Sequence, residues 1–173
     1  KIPGHSPEIG LPYDLEQAQQ VFIEAGCPQG RGFPALQGLT HISWQLQSEY
    51  LSECWREALG VEISWRFVED LTCFDQLVKE KPCIFINGWS ADYPDPHNFL
   101  SVGLHDEPID WHNETYKQLI EKARHVMDQQ SRIALYQQAE QILMDEAAII
   151  PLTYGRLHGL KKPWVKGLAI SPT

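Results

Sequence analysis

Several things are scarce in this sequence, and each scarcity removes a class of function. No apolar run approaches the roughly 18 residues a membrane-spanning helix needs. No cluster of Lys and Arg exceeds a pair such as Lys161-Lys162, and 14 basic residues face 23 acidic ones for a formal net charge of −9. That balance argues against nucleic-acid binding by this segment, because phosphate contacts need a basic face. Cysteine is limited to Cys27, Cys54, Cys73 and Cys83. They form no C-x-x-C pair and have no histidines at zinc-finger spacing. Four cysteines could make two disulfides in a secreted protein, but Cys83 lies in an apolar run and Cys54 in a helical pattern, which favours buried free thiols, commoner in reducing compartments. G-x-S-x-G, the P-loop and G-x-G-x-x-G are all absent. No internal repeat appears. The opening Lys1-Ile2-Pro3-Gly4-His5 has no apolar stretch of the signal-peptide kind and looks like the middle of a loop. The expectation is a piece of a longer protein.

What is present is an ordinary globular composition. The 173 residues are 43% hydrophobic and 21% charged, enough for one domain with a core. Asp14 is placed to cap a helix, with Gln17 as its capping-box partner, Ala18, Val21, Phe22 and Ala25 at helical spacing, and Gly26 as its stop. Pro28, Gly30 and Gly32 mark a loop. Leu36 to Ile42 suits a strand, weakened by Gly38. From about Trp44 to Leu59 the pattern is helical, with Leu46, Tyr50, Leu51, Cys54, Trp55 and Ala58 on one stripe and Gly60 at its end. Val61 to Phe67 alternates as a half-buried strand does. Phe74, Leu77 and Val78 mark a short helix, and Cys83-Ile84-Phe85-Ile86 a strand buried on both faces. Asn113 and Asp128 or Ser131 start two further helices. Tyr116, Leu119, Ile120 and Ala123 line the first, and Ile133, Leu135, Tyr136, Ala139, Ile142 and Leu143 the second. Ala148 to Tyr154 suits an edge strand with a proline, and Leu157 to Leu160 and Val165 to Ile170 short extended pieces. Alternating strands and helices in the middle imply a three-layer α/β unit.

Five motifs in order then carry a family resemblance across nearly the whole chain. They are Leu11-Pro12-Tyr13-Asp14 with Pro28-x-Gly30-x-Gly32-Phe33-Pro34; Trp55-Arg56-x-x-Leu59-Gly60-Val61-Glu62-Ile63; Gly88-Trp89-Ser90-Ala91-Asp92-Tyr93-Pro94-Asp95-Pro96 with Asn98-Phe99-Leu100; Tyr136-Gln137-Gln138-Ala139-Glu140 with Ile149-Ile150-Pro151-Leu152; and Lys166-Gly167. Together they resemble the second lobe of family 5 solute-binding proteins, which serve oligopeptide and dipeptide ABC importers. The resemblance implies an α/β fold, one lobe of the type II periplasmic-binding-protein architecture with a central mixed sheet covered by helices. It implies that residues 1–173 form a single domain, the C-terminal lobe of a two-lobe protein whose first lobe is absent from this chain. Two features depart from the family pattern: Ser101 to Asp110 is short where a long loop is common, and four cysteines are many for an exported member.

The resemblance also implies a function. The lobe would capture peptides or similar small solutes outside the cytoplasm, as a periplasmic protein or a membrane-anchored lipoprotein. Its partners would be the missing lobe and an ABC permease, with no cofactor, no metal and no catalysis. Closure of two lobes would hold the ligand, so this segment alone is expected to bind weakly. In peptide-binding members the aspartate of the Ala-Asp-Tyr step pairs with the ligand's α-ammonium; here that is Asp92, by a charge-assisted hydrogen bond. Trp89, Tyr93 and Ser90 are the accompanying ligand-binding candidates.

Blander roles stand beside these. Asp92 suits a turn or helix cap, Trp89 and Tyr93 core packing, and Asp95, before Pro96, a turn. Asp92, Asp95 and His97 include metal-ligand types, but two intervening prolines oppose convergence. His105, His112 and His158 are scattered. Ser90 has no histidine base at a recognisable spacing, and an Asp92–Asp95 carboxylate pair for glycoside hydrolysis has no supporting motif. The alternative from another class is a solute-sensing domain of a cytoplasmic transcriptional or signalling regulator, towards which the free thiols point.

Overall fold

The computed structural model describes residues 4, 6, 8–69, 72–105, 109–155 and 160–167. They form two compact units. A sheet unit comprises residues 12–89 with 109–110, and a helix unit comprises residues 90–105, 111–155 and 160–167 with residues 4, 6 and 8–11.

The sheet unit has three strands, β1 (Leu36–His41), β2 (Ile63–Val68) and β3 (Ile84–Ile86), in the order β2-β1-β3. All pairings are parallel, with Gly38 opposite Trp65 and Leu39 opposite both Arg66 and Phe85. Parallel neighbours need crossovers, and helices α2 (Gln45–Leu59) and α3 (Cys73–Glu80) supply them. Helix α1 (Leu15–Glu24) precedes the sheet and starts at Asp14, whose carboxylate accepts the Gln17 N–H at 2.9 Å.

Strand side chains alternate between faces, and the contacts of adjacent positions show where the helices lie. On the Gly38 face, the Trp65 indole donates to Ser52 of α2 at 2.7 Å. Its ring crosses the central strand, so a Cβ on Gly38 would lie 2.5 Å from it. The glycine that weakens β1 on propensity is the one residue that leaves room for this ring. On the opposite face, Leu39, Val68 and Phe85 pack with Cys73 and Leu77 of α3, and Arg66 reaches Gln76 and Glu80. The two helices therefore cover opposite faces, the expected three layers. Gly60 ends α2 in the left-handed region at φ 70°. A Cβ there would lie 2.3 Å from the Gln29 carbonyl oxygen, and one on Gly30 would lie 2.2 Å from the Gly60 carbonyl oxygen. Two glycines are needed where these turns touch.

Some details differ from the sequence reading. The inner face of α2 is rotated from its most apolar stripe: Leu46 is 78% and Tyr50 70% exposed, while Ser48 is fully buried. Ser48 and Ser52 donate to the Gln45 and Ser48 carbonyls, each at 2.9 Å, so their satisfied hydroxyls pack inward. In α3 the buried residues are Cys73 and Leu77, and Phe74 and Val78 are partly exposed. Strand β3 is an edge of the described sheet, with only Ile86 fully buried. None of the four cysteines is in a disulfide, but only Cys73 is buried and Cys83 is exposed. Cys83 lies just before β3, outside its paired residues Ile84–Ile86.

In the helix unit, α4 (Glu114–His125) and α5 (Gln129–Asp145) pack as a pair. Asn113 accepts the Tyr116 N–H and Asp128 the Ser131 N–H, satisfying donors that helix starts leave orphaned. The core holds Tyr116, Ile120, Ala123, Leu135, Tyr136, Ala139, Leu143 and Met144, close to the expected faces. Fully buried Ala123 and Ala139 keep the contact close. A π-helical turn at Asn98–Val102, followed by a helical turn at Gly103–His105, packs on this core through Leu100 and Leu104. The Tyr116 hydroxyl donates to the Leu100 carbonyl. Residues 148–154 form no strand. Pro151 lacks an N–H, Ile150 and Tyr154 are exposed, and no strand lies alongside among the described residues. The described sheet is accordingly all parallel where a mixed one was expected. Most of the two last extended candidates, within 156–159 and 168–173, lies outside the described residues, and the described residues 160 and 165–167 form no strand.

Candidate functional site

Neighbouring strands β1 and β3 are where the crossovers reverse direction, and ligands of open α/β sheets gather beyond the carboxyl ends of such strands. At this edge the buried Thr40 hydroxyl donates to the Ile86 carbonyl at 2.8 Å. At the end of β1, His41 Nδ1 accepts the Ser43 N–H at 3.2 Å. After β3 comes Gly88, where a Cβ would lie 3.0 Å from the Trp44 ring. Trp89 follows, 39% exposed. These groups all belong to the sheet unit.

The remaining candidates, Ser90, Asp92 and Tyr93, belong to the helix unit, where side chains rather than regular structure hold the backbone. Ala91 is buried, while Ser90 and Asp92 are exposed. The Asn98 side chain is fully buried beneath them. Its Oδ1 accepts the Asp92 N–H at 3.2 Å, and its Nδ2 donates to Asp92 Oδ2 at 3.3 Å. One amide thus fixes both ends of the aspartate. Among the described residues, no Lys, Arg or His pairs with the Asp92 carboxylate.

Asp95 is placed differently. Its Oδ1 accepts the His97 N–H at 2.9 Å and an Arg132 guanidinium N–H at 2.6 Å, and its carbonyl accepts the Asn98 N–H at 3.0 Å. It is a turn residue, as expected, and is also clamped to α5. Arg132 lies 5.2 Å from the Tyr136 ring centroid, a cation–π distance. A carboxylate already committed to a guanidinium is poorly placed for acid–base work, so the geometry gives no support to an Asp92–Asp95 pair. Tyr93, 40% exposed, shares a 2.8 Å hydrogen bond with His97 Nδ1 and stacks on the ring at 6.4 Å. His97 Nε2 is buried, with no hydrogen-bond partner among the described residues. Burial holds the imidazole below the ordinary histidine range, and the Arg124 charge adds to this, so the neutral form fits the site. Among the described residues no three His, Cys, Asp or Glu side chains could hold a metal, and no helix is long and apolar enough to cross a membrane.

Asn98 and Arg132, which hold this segment through Asp92 and Asp95, are not among the candidates the sequence reading singles out. Arg132 left a signal: it occupies the helical stripe of Tyr136, Ala139 and Leu143, and a cation on a buried stripe needs an acid. Asn98 left none beyond its place in the motif.

No family model matches the chain. The periplasmic oligopeptide-binding protein OppA of Salmonella typhimurium is 30% identical over 88% of this chain and 29% of its own length. The probable deoxycholate-binding periplasmic protein YgiS of Escherichia coli is 33% identical over 69% of this chain and 23% of its own. Among solved structures, a periplasmic oligopeptide-binding protein of Borrelia burgdorferi superposes with a TM-score of 0.76 at 26% identity, over 84% of this chain and 30% of its own. The architecture is therefore that of the type II periplasmic-binding-protein fold. By homology over most of its length, the chain belongs to the family 5 solute-binding proteins. It spans less than a third of the length of the curated relatives it matches. These relatives are named as binding proteins, which leaves both the enzyme and the cytoplasmic-regulator readings without support.

Proposed function

We propose that the chain is the C-terminal lobe of an extracytoplasmic solute-binding protein that captures peptides or similar small solutes bearing an ammonium group. The rest of a longer chain supplies the first lobe, and an ABC permease receives the solute. The protein is periplasmic or lipid-anchored at the outer face of a membrane. One observation carries the ligand reading: Asp92 presents an exposed carboxylate, held at backbone and side chain by a buried Asn98, with no cation of its own among the described residues. A ligand ammonium would supply the missing charge through a hydrogen bond stabilising by about 1.5–3 kcal/mol. Ser90 adds a hydroxyl and Tyr93 an aromatic face from the same segment. Trp89 is proposed as a further ligand-facing aromatic on its own exposure.

The relatives bear names of different ligands, so the ligand's charge is the feature to test. The full-length protein, purified without denaturation, is analysed by mass spectrometry for co-purifying small molecules. The expected ligand carries a primary amine, as a peptide does. A bile acid or another ligand without a cationic nitrogen would overturn the assignment of Asp92.

A further inference from the structure

We infer that Arg132, remote from the candidate ligand residues in sequence, is the positioning residue for the Asp92 carboxylate. The inference rests on the role proposed for Asp92. A continuous chain of contacts connects the two residues. Arg132 donates to Asp95 Oδ1, the same oxygen receives the His97 N–H, and the Asp95 carbonyl receives the Asn98 N–H. The buried Asn98 side chain then grips the Asp92 N–H and carboxylate.

Each step restricts the next. The segment from Ser90 to His97 contains Pro94 and Pro96, which donate no backbone hydrogen bonds, and among the described residues it belongs to no sheet ladder. Its shape depends on side-chain clamps. Asp95 and Arg132 are 24% and 29% exposed, so solvent screens their pair less than it screens a rim pair. Tyr136 backs the guanidinium with its ring and stands 3.4 Å from it through its hydroxyl. Helix α5 thus fixes where Asp95 sits, and Asp95 fixes the turn from which Asn98 orients Asp92. Arg132 acts on Asp92 through Asp95 and Asn98.

The test is a double-mutant cycle on the full-length protein, with alanine-based di- to tetrapeptides, free and N-acetylated, as probes. Arg132→Gln is expected to weaken binding of the free peptides roughly tenfold, as coupled neighbours do. It should change binding of the acetylated peptides less than about twofold, the scale on which uncoupled sites behave independently. In an Asp92→Asn background the same substitution should also cost less than about twofold. Arg132→Lys, which keeps a cation for Asp95, should recover most of the loss. Asp95→Asn removes the pair from the other side, is expected to reproduce the pattern, and serves if Arg132→Gln does not fold. Equal losses for free and acetylated peptides, or an undiminished loss in the Asp92→Asn background, would show a merely structural role and overturn the inference. If Asp92→Asn alone leaves free-peptide binding intact, the ligand assignment falls and this inference with it.

Discussion

Arg66 in the sheet unit and Arg132 in the helix unit each meet a carboxylate, and the two pairs do different work. Arg66 and Glu80 are each 45% exposed and join β2 to α3 at the rim of packing that Leu39 and Leu77 already secure. Arg132 and Asp95 are 29% and 24% exposed and hold a segment that, among the described residues, lies outside any sheet ladder. In the sheet unit, backbone hydrogen bonds and apolar contacts set the geometry and charges decorate it. In the helix unit, polar side chains shape the segment that carries Asp92. A polar clamp therefore matters most where regular structure is missing.

Core truncation should give the largest effects and treat both units alike. Leu39→Ala in the sheet unit and Leu143→Ala in the helix unit each remove a fully buried side chain and should destabilise by about 2–5 kcal/mol. Urea unfolding of the full-length protein measures this. A cost below about 1 kcal/mol at either site would show that the core there is not packed as described. The arginines should then separate the units. Arg132→Ala should cost about 1–3 kcal/mol, because it strands a partly buried carboxylate. Arg66→Ala should cost less than about 1 kcal/mol, as exposed pairs do. Equal costs by thermal or urea unfolding would erase the contrast.

The same contrast decides what could be read in advance. Alternation over Val61 to Phe67, the caps at Asp14, Asn113 and Asp128, and the stops at Gly26 and Gly60 express local rules; the caps and stops appear where those rules put them, and the strand runs over Ile63–Val68, two residues later at its start and one at its end. The inner face of α2 is not the most apolar stripe, because Ser48 and Ser52 satisfy their hydroxyls within the helix, which no count of apolar residues registers. Ala148 to Tyr154 has the composition of a strand, but composition supplies no neighbour for a segment broken by Pro151. At the site, the motif singled out Asp92 and Tyr93, whereas the Asp95–Arg132 pair spans 37 residues and depends on how α5 packs. The residue types of a site can be local while their support is tertiary.

The most direct test of the account is the affinity of full-length Asp92→Asn protein for a free peptide and its N-acetylated counterpart. The wild-type protein should prefer the free peptide by roughly ten- to a hundredfold, the scale of one charged hydrogen bond. The variant should lose that preference while binding the acetylated peptide as the wild type does. A variant that keeps the preference would place the ammonium elsewhere and contradict the role assigned to Asp92.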